Sequence, residues 1–164
     1  MRSERPVPLD KLERDQMHQI TGAATANAKA ARDTLATAKD FLVTAQQGVA
    51  EGRYLPAVSN YHEAARLAIT AVATSRGRRF SNLAGSHEAV VDYAVGVGLT
   101  DANGHAMLDQ LRELRHQVNY PADLIQPTER DVRRIGEMVE ALVDAVTDRL
   151  NPPAKPKRIP PPPR

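Results

Sequence analysis

The sequence predicts an all-α protein, an antiparallel four- to five-helix bundle, and three observations predict it. Apolar residues recur at steps of three and four over 9–50, 53–75, 105–119 and 128–150, the spacing of one helix face. Of the 164 residues, 41% are hydrophobic but only 4% aromatic, with no tryptophan, so the core is built from Ala, Val and Leu, which suits closely packed helices. No stretch shows strand-forming alternation, and no internal repeat is present.

The elements follow in order. Residues 1–8, with two prolines and alternating charges, read as a disordered start. From Leu9 the pattern Leu12, Gln16 or Met17, and Ile20, then Ala24, Ala28, Ala31, Leu35, Ala38, Leu42, Ala45 and Val49 has helix spacing, and its later part forms a small-residue seam at heptad intervals. One helix over 9–50 would be about 60 Å long at about 1.5 Å per residue. That exceeds a domain of this size, so a break near Gly22 or a protruding arm is expected. Gly48 and Gly52 mark the end of this segment.

The second helix, 53–75, carries Tyr54, Ala57, Val58, Tyr61, Ala65, Ala68, Ile69 and Val72 on one face. Pro56 fits only in a first turn and so fixes its start. On its polar side His62 and Arg66 read as a solvated face, with a place in an active-site wall as the minority alternative. Then SRGRRFSNLAGS, 75–86, is a loop in which Arg76, Arg78 and Arg79 stand beside Phe80. They suit either a nucleic-acid backbone and a stacked base or favourable charge at a helix C-terminus with an apolar anchor.

Ser86 caps a short helix bearing Val90, Tyr93, Ala94 and Val97, which ends at Gly96, Gly98 and the turn DANG at 101–104. A fourth helix runs from about 105 to 119, and Pro121 stops it. Thr128 caps the last helix with Asp131 at its third position, and Val132, Ile135, Val139, Leu142, Val143, Val146 and Leu150 line one face. The basic, proline-rich tail NPPAKPKRIPPPPR is expected to be extended. Three regions are therefore expected: an arm over 1–22, partly helical, a bundle over 23–150, and a disordered tail over 151–164.

Several chemistries are excluded. Without cysteine there are no disulfides, thiolate metal sites or cysteine nucleophiles. No Gly-rich phosphate loop, His-Glu-x-x-His or nucleophile elbow occurs, and His62-Glu63 and His87-Glu88 are isolated pairs without a third ligand at useful spacing. No metal and no cofactor is expected. The N-terminus lacks an apolar export segment, and no uncharged apolar run nears the ~20 residues of a membrane span. We expect a cytoplasmic protein without membrane contact. A net charge of only +2 requires any anion site to come from a local cluster.

That cluster is LDQLRELRHQVNYP, 108–121. On a helical wheel of about 100° per residue, Met107, Leu111, Leu114 and Val118 form an apolar stripe. Arg112, His116 and Asn119 lie opposite, with Arg115 on the border. Metal-free acid–base chemistry with Arg, His and Tyr is the remaining option here.

The order YLPAVSNYHEAARLAI, 54–69, then a short helix, then LRELRHQVNYP, 111–121, resembles the HEPN superfamily (higher eukaryotes and prokaryotes nucleotide-binding) over roughly 30–150. The resemblance implies a helical bundle that dimerises, with a functional motif near the end of a late helix. In active members an arginine, four to six residues, then a histidine form that motif. The family includes metal-independent endoribonucleases of toxin–antitoxin and other defence systems, beside members that only bind.

Carried over, Arg115 takes the arginine position, and the histidine position falls on Tyr120. Tyrosine, with a reference pKa of about 10, is a poor base at neutral pH. His116 is the substitute within reach. The catalytic candidates are therefore Arg115, Tyr120 and His116. The RNA- or nucleotide-binding candidates are Arg112, Asn119, Arg76, Arg78 and Arg79. The leading expectation is a homodimeric module holding RNA or a nucleotide in an Arg-rich cleft, with an antitoxin or other protein as a further partner option. An active endoribonuclease toxin and a purely structural protein-interaction bundle are the alternatives.

Overall fold

The computed structural model describes residues 5–81, 86–119 and 126–152, and of Ser86 and Asn119 it describes the backbone. Within them the chain runs α1 (Leu9–Asp15), β1 (Met17–Gln19), α2 (Ala24–Ala50), α3 (Tyr54–Ser75), β2 (Arg78–Phe80), α4 (Ser86–Gly96), α5 (Ala102–Asn119) and α6 (Glu129–Leu150). The expected all-α bundle is present, with six helices among the described residues and one small sheet.

The helix α2 buries Ala31, Leu35, Ala38, Leu42, Ala45 and Val49, the heptad seam of the sequence. It packs antiparallel to α3, which lies at the centre of the bundle and meets α2, α4, α5 and α6. Small residues set that distance. A Cβ on Gly48 would lie 3.4 Å from the Ala57 Cβ, ordinary contact with no room to spare. Gly52 makes the α2–α3 turn at φ 71°, a left-handed conformation that glycine adopts without penalty.

On the other side of α3, α6 buries Val132, Ile135, Val139, Leu142, Val143 and Val146 as expected. Its Gly136 lies against the Tyr61 hydroxyl, where an added Cβ would sit 2.5 Å away. Thr128 caps α6 as anticipated: its Oγ1 accepts from the Asp131 amide at 3.2 Å and donates to Asp131 Oδ2 at 2.7 Å. Arg149, in the last turn, donates through Nη1 to the Val97 carbonyl at 2.6 Å, tying α6 to the end of α4.

Three expectations are corrected. Helix spacing through Ile20 is not realised beyond Asp15, because Met17–Gln19 pairs antiparallel with Arg78–Phe80, Met17 opposite Phe80 and Gln19 opposite Arg78. The expected absence of strands thus fails in three-residue segments, too short for alternation to register. The break near Gly22 is real, and α2 begins afresh at Ala24. The DANG segment is not a turn ending α4. Asp101 accepts the Gly104 amide at 2.9 Å, so it caps α5 and starts that helix at Ala102.

Candidate functional site

Three helices converge beside the middle of α3. His62, Glu63 and Arg66 occupy one turn of α3, within a helix otherwise rich in alanine. The first turn of α4 brings His87 and Glu88. Because α5 turns Leu108 and Leu111 into the core, Arg112 and Arg115 flank that buried stripe and reach the neighbouring helices.

Glu63 is the hub. Its Oε2 accepts from Arg66 Nε and Nη2 at 3.0 and 2.8 Å. Its Oε1 lies 3.7 Å from Arg115 Nη2 and 3.4 Å from His62 Nδ1. This last contact lacks hydrogen-bond geometry, so among the described residues the buried Nδ1 has no hydrogen-bonding partner. Beside these groups, His62, Arg66, His87, Val90 and Leu111 line a cavity of about 20 Å³.

The electrostatics follow from that geometry. His62 and Arg66 stabilise the Glu63 carboxylate against the opposing effect of burial and hold its pKa down to about 2, so Glu63 is ionised at neutral pH. His87 is displaced below the usual imidazole value. Burial contributes most, then the neighbouring His62, Arg66 and Arg115, with Glu63 acting against them. Neutral His87 therefore predominates at pH 7.

The sequence candidates separate into two places. Arg112 and Arg115 join the cluster but in unequal ways. Arg112 is enclosed by three carboxylates, Glu113 at 2.7 Å, Asp109 at 3.5 Å and Glu88 at 4.0 Å. Arg115, with 38% of its side chain exposed, meets Glu63 at 3.7 Å. His116 is exposed. Tyr120 and the side chain of Asn119 lie outside the described residues.

Arg76, Arg78 and Arg79 stand at the far end of α3, roughly 20 Å from Glu63 along the helix at about 1.5 Å per residue. There Glu13 of α1 lies 3.7 Å from Arg76 and 3.8 Å from Arg78, while Arg79 pairs opposite His18 in the sheet.

Sequence reasoning missed the convergence of His62, Glu63, Arg66 and His87. The signal was a charged turn interrupting an alanine-rich helix, together with two His-Glu pairs that only the tertiary packing brings together.

An all-α bundle with a polar cluster where three helices meet defines the class of protein. A family model described as the HEPN domain matches residues 31–150, which is most of the chain. The chain belongs to the HEPN family. Membership fits a nucleotide- or RNA-binding, or ribonuclease-like, module in general. No curated protein matches the chain. Among the described residues, no helix is long and apolar enough to cross a membrane.

Proposed function

We propose that this chain is a homodimeric HEPN module that binds RNA, or a nucleotide, through its phosphate groups at the α3–α4–α5 cluster. One observation carries the reading: guanidinium groups from two helices, Arg66 and Arg115, flank a single ionised carboxylate, with His87 facing them from a third. A guanidinium has five N–H donors in a fixed fork, and Glu63 aims those of Arg66 and Arg115 at one place. Fixing both side chains before a ligand arrives lowers the entropy lost on binding.

The carboxylates temper the affinity, since a phosphate must compete with Glu63 for Arg115. Arg112, held by Glu113, Asp109 and Glu88, works mainly by positioning the end of α5. Asn119 ends that helix, with Tyr120 next in the sequence, and Arg76, Arg78 and Arg79 supply a second, separate contact for a longer strand. A place in a toxin–antitoxin or other defence system, with a protein partner, is the broader role that family membership supports.

Fluorescence anisotropy with labelled RNA at several salt concentrations tests the binding. Loss of one phosphate contact in Arg115→Ala weakens binding to every sequence and reduces the salt slope by about one. Unchanged affinity and slope in Arg115→Ala and Arg66→Ala would sink the reading. Sedimentation tests the dimer, and a monomer at all concentrations removes it.

A further inference from the structure

The exposed side of α6 changes character along its length. In its C-terminal half Glu137, Glu140, Asp144 and Asp148 are all exposed, and they fall within an arc of about 80° on a wheel of about 100° per residue. Among the described residues, none of these four carboxylates is held in an ion pair or a side-chain hydrogen bond.

Where this stripe begins, α2 and α6 leave a cavity of about 280 Å³, walled by Gln46, Val49, Glu137 and Glu140. Tyr61 lines it from α3. The residue is 3% exposed, and its hydroxyl takes the space that a side chain at position 136 would otherwise fill. That hydroxyl makes no hydrogen bond among the described residues, so a group that accepts from it removes the cost of an unsatisfied donor.

We propose that the basic, proline-rich segment 153–164 of this chain folds back along α6 and docks on this stripe and cavity. Charge selects that occupant first, because Lys155, Lys157, Arg158 and Arg164 set four cations against four carboxylates. Reach agrees. From Gly136 to Asn151, α6 rises roughly 22 Å at about 1.5 Å per residue, and residues 155–163 span roughly 25 Å at about 3.1 Å per residue when extended. An antiparallel return therefore puts Lys155, Lys157 and Arg158 beside Asp148, Asp144 and Glu140, and brings residues 160–163 to Tyr61.

Backbone chemistry makes the proline content matter. Prolines offer carbonyl acceptors and no N–H donor, and a polyproline chain makes no hydrogen bonds of its own, so its carbonyls suit a lone hydroxyl donor. Exposed ion pairs are individually weak. Tethering offsets this by raising the local concentration of the segment to the order of millimolar, and the preformed extended backbone lowers the entropy lost on docking. Arg133, the cation lining the cavity, is held by Glu129 at 2.7 Å and leaves the carboxylates to the segment.

The test uses the full chain, in which a nitroxide on Ile159→Cys has no native cysteine to compete with it. Broadening of backbone amide signals by NMR then reports what the segment approaches. The amides of Glu137, Glu140, Asp144 and Asp148 should lose most of their intensity at about 0.1 M salt and recover it at about 1 M, where the Debye length falls to about 3 Å. Glu140→Lys combined with Asp144→Lys should restore the signals at low salt. Tyr61→Phe, which keeps the ring in the core, should restore that of Glu137.

Full intensity along α6, or broadening unchanged in both variants, overturns the proposal. A second sample, in which isotope-labelled chain is refolded together with spin-labelled chain lacking the isotope, separates one copy from two. No broadening of α6 is expected there. Broadening in that sample assigns the segment to a second copy and overturns docking within the chain.

Discussion

Two histidine–carboxylate neighbourhoods lie along the α4–α5 pair, and they are built differently. At one, His105 Nε2 lies 2.8 Å from Asp92 Oδ1, and the backbone amide of Val7 donates to Asp92 Oδ2 at 3.3 Å. Asp92 is 2% exposed and His105 8%. Both carboxylate oxygens are engaged, by two different segments, and nothing there is open to a ligand. At the other, Glu63 is shared among Arg66, Arg115 and His62, the His62 contact is long, and His87 faces the group from the surface. The first arrangement joins α4, α5 and the N-terminal segment. The second sets two guanidinium groups against one carboxylate, and under the proposed reading that surplus is what an anion uses. A histidine beside an acid is thus a pin or a site according to how completely its partners close around it.

The comparison breaks first at Asp92. Removing Asp92 leaves the buried His105 ring and the Val7 amide without their acceptor, at a cost of about 1–3 kcal/mol for each unsatisfied group. Asp92→Ala should lose stability on that scale in urea unfolding and expose the 5–15 segment to protease. A loss below about 1 kcal/mol, the scale of exposed pairs, would mean that the closed pair is no pin.

Glu63→Gln tests the open neighbourhood and should cost less. The Glu63 pKa falls from 4.5 to about 2 on folding, so its stabilisation is complete above pH 4.5 and is lost as pH falls towards 2. Because solvent screens the partly exposed partners, we expect about 1–2 kcal/mol at pH 7. The gap between wild type and variant should close on acidification. A gap independent of pH would show that the carboxylate's charge is not what matters.

The two neighbourhoods also differ in how far the sequence discloses them. Local signals serve well where a residue's partners lie within a turn. Thr128 and Asp131 cap α6, the α6 stripe from Val132 to Val146 is buried, and the α2 seam packs as its spacing requires. Even the enclosure of Arg112 was half legible, since Asp109 is three residues before it and Glu113 is adjacent. What stayed hidden depends on distant partners. Met17–Gln19 becomes a strand only because Arg78–Phe80 is there to receive it. Asp92 and His105 sit on different helices, as do Glu63 and Arg115. The sequence placed arginines around residue 115 without showing that α3 and α4 supply the rest. It also grouped Arg76, Arg78 and Arg79 with them, although the length of α3 keeps them apart.

The smallest effect is at His87, and it is the sharpest discriminator between pin and site. A pin loses stability when removed, as at Asp92; an exposed imidazole held neutral among cations should not. The folded state disfavours the His87 proton, so stability at this residue is unimpaired above pH 6.5, declines as pH falls from 6.5 to the lower folded value, and is level below it. His87→Gln removes that penalty. The variant should match the wild type within about 0.5 kcal/mol at pH 7, as surface substitutions do, and be slightly the more stable of the two near pH 5. Proton NMR of the His87 ring should give a midpoint below 6.5, moving upward when Arg115→Ala removes one of the neighbouring charges. A midpoint unmoved by that substitution would show that Arg115 and His87 do not share a site, whatever the stability of either variant.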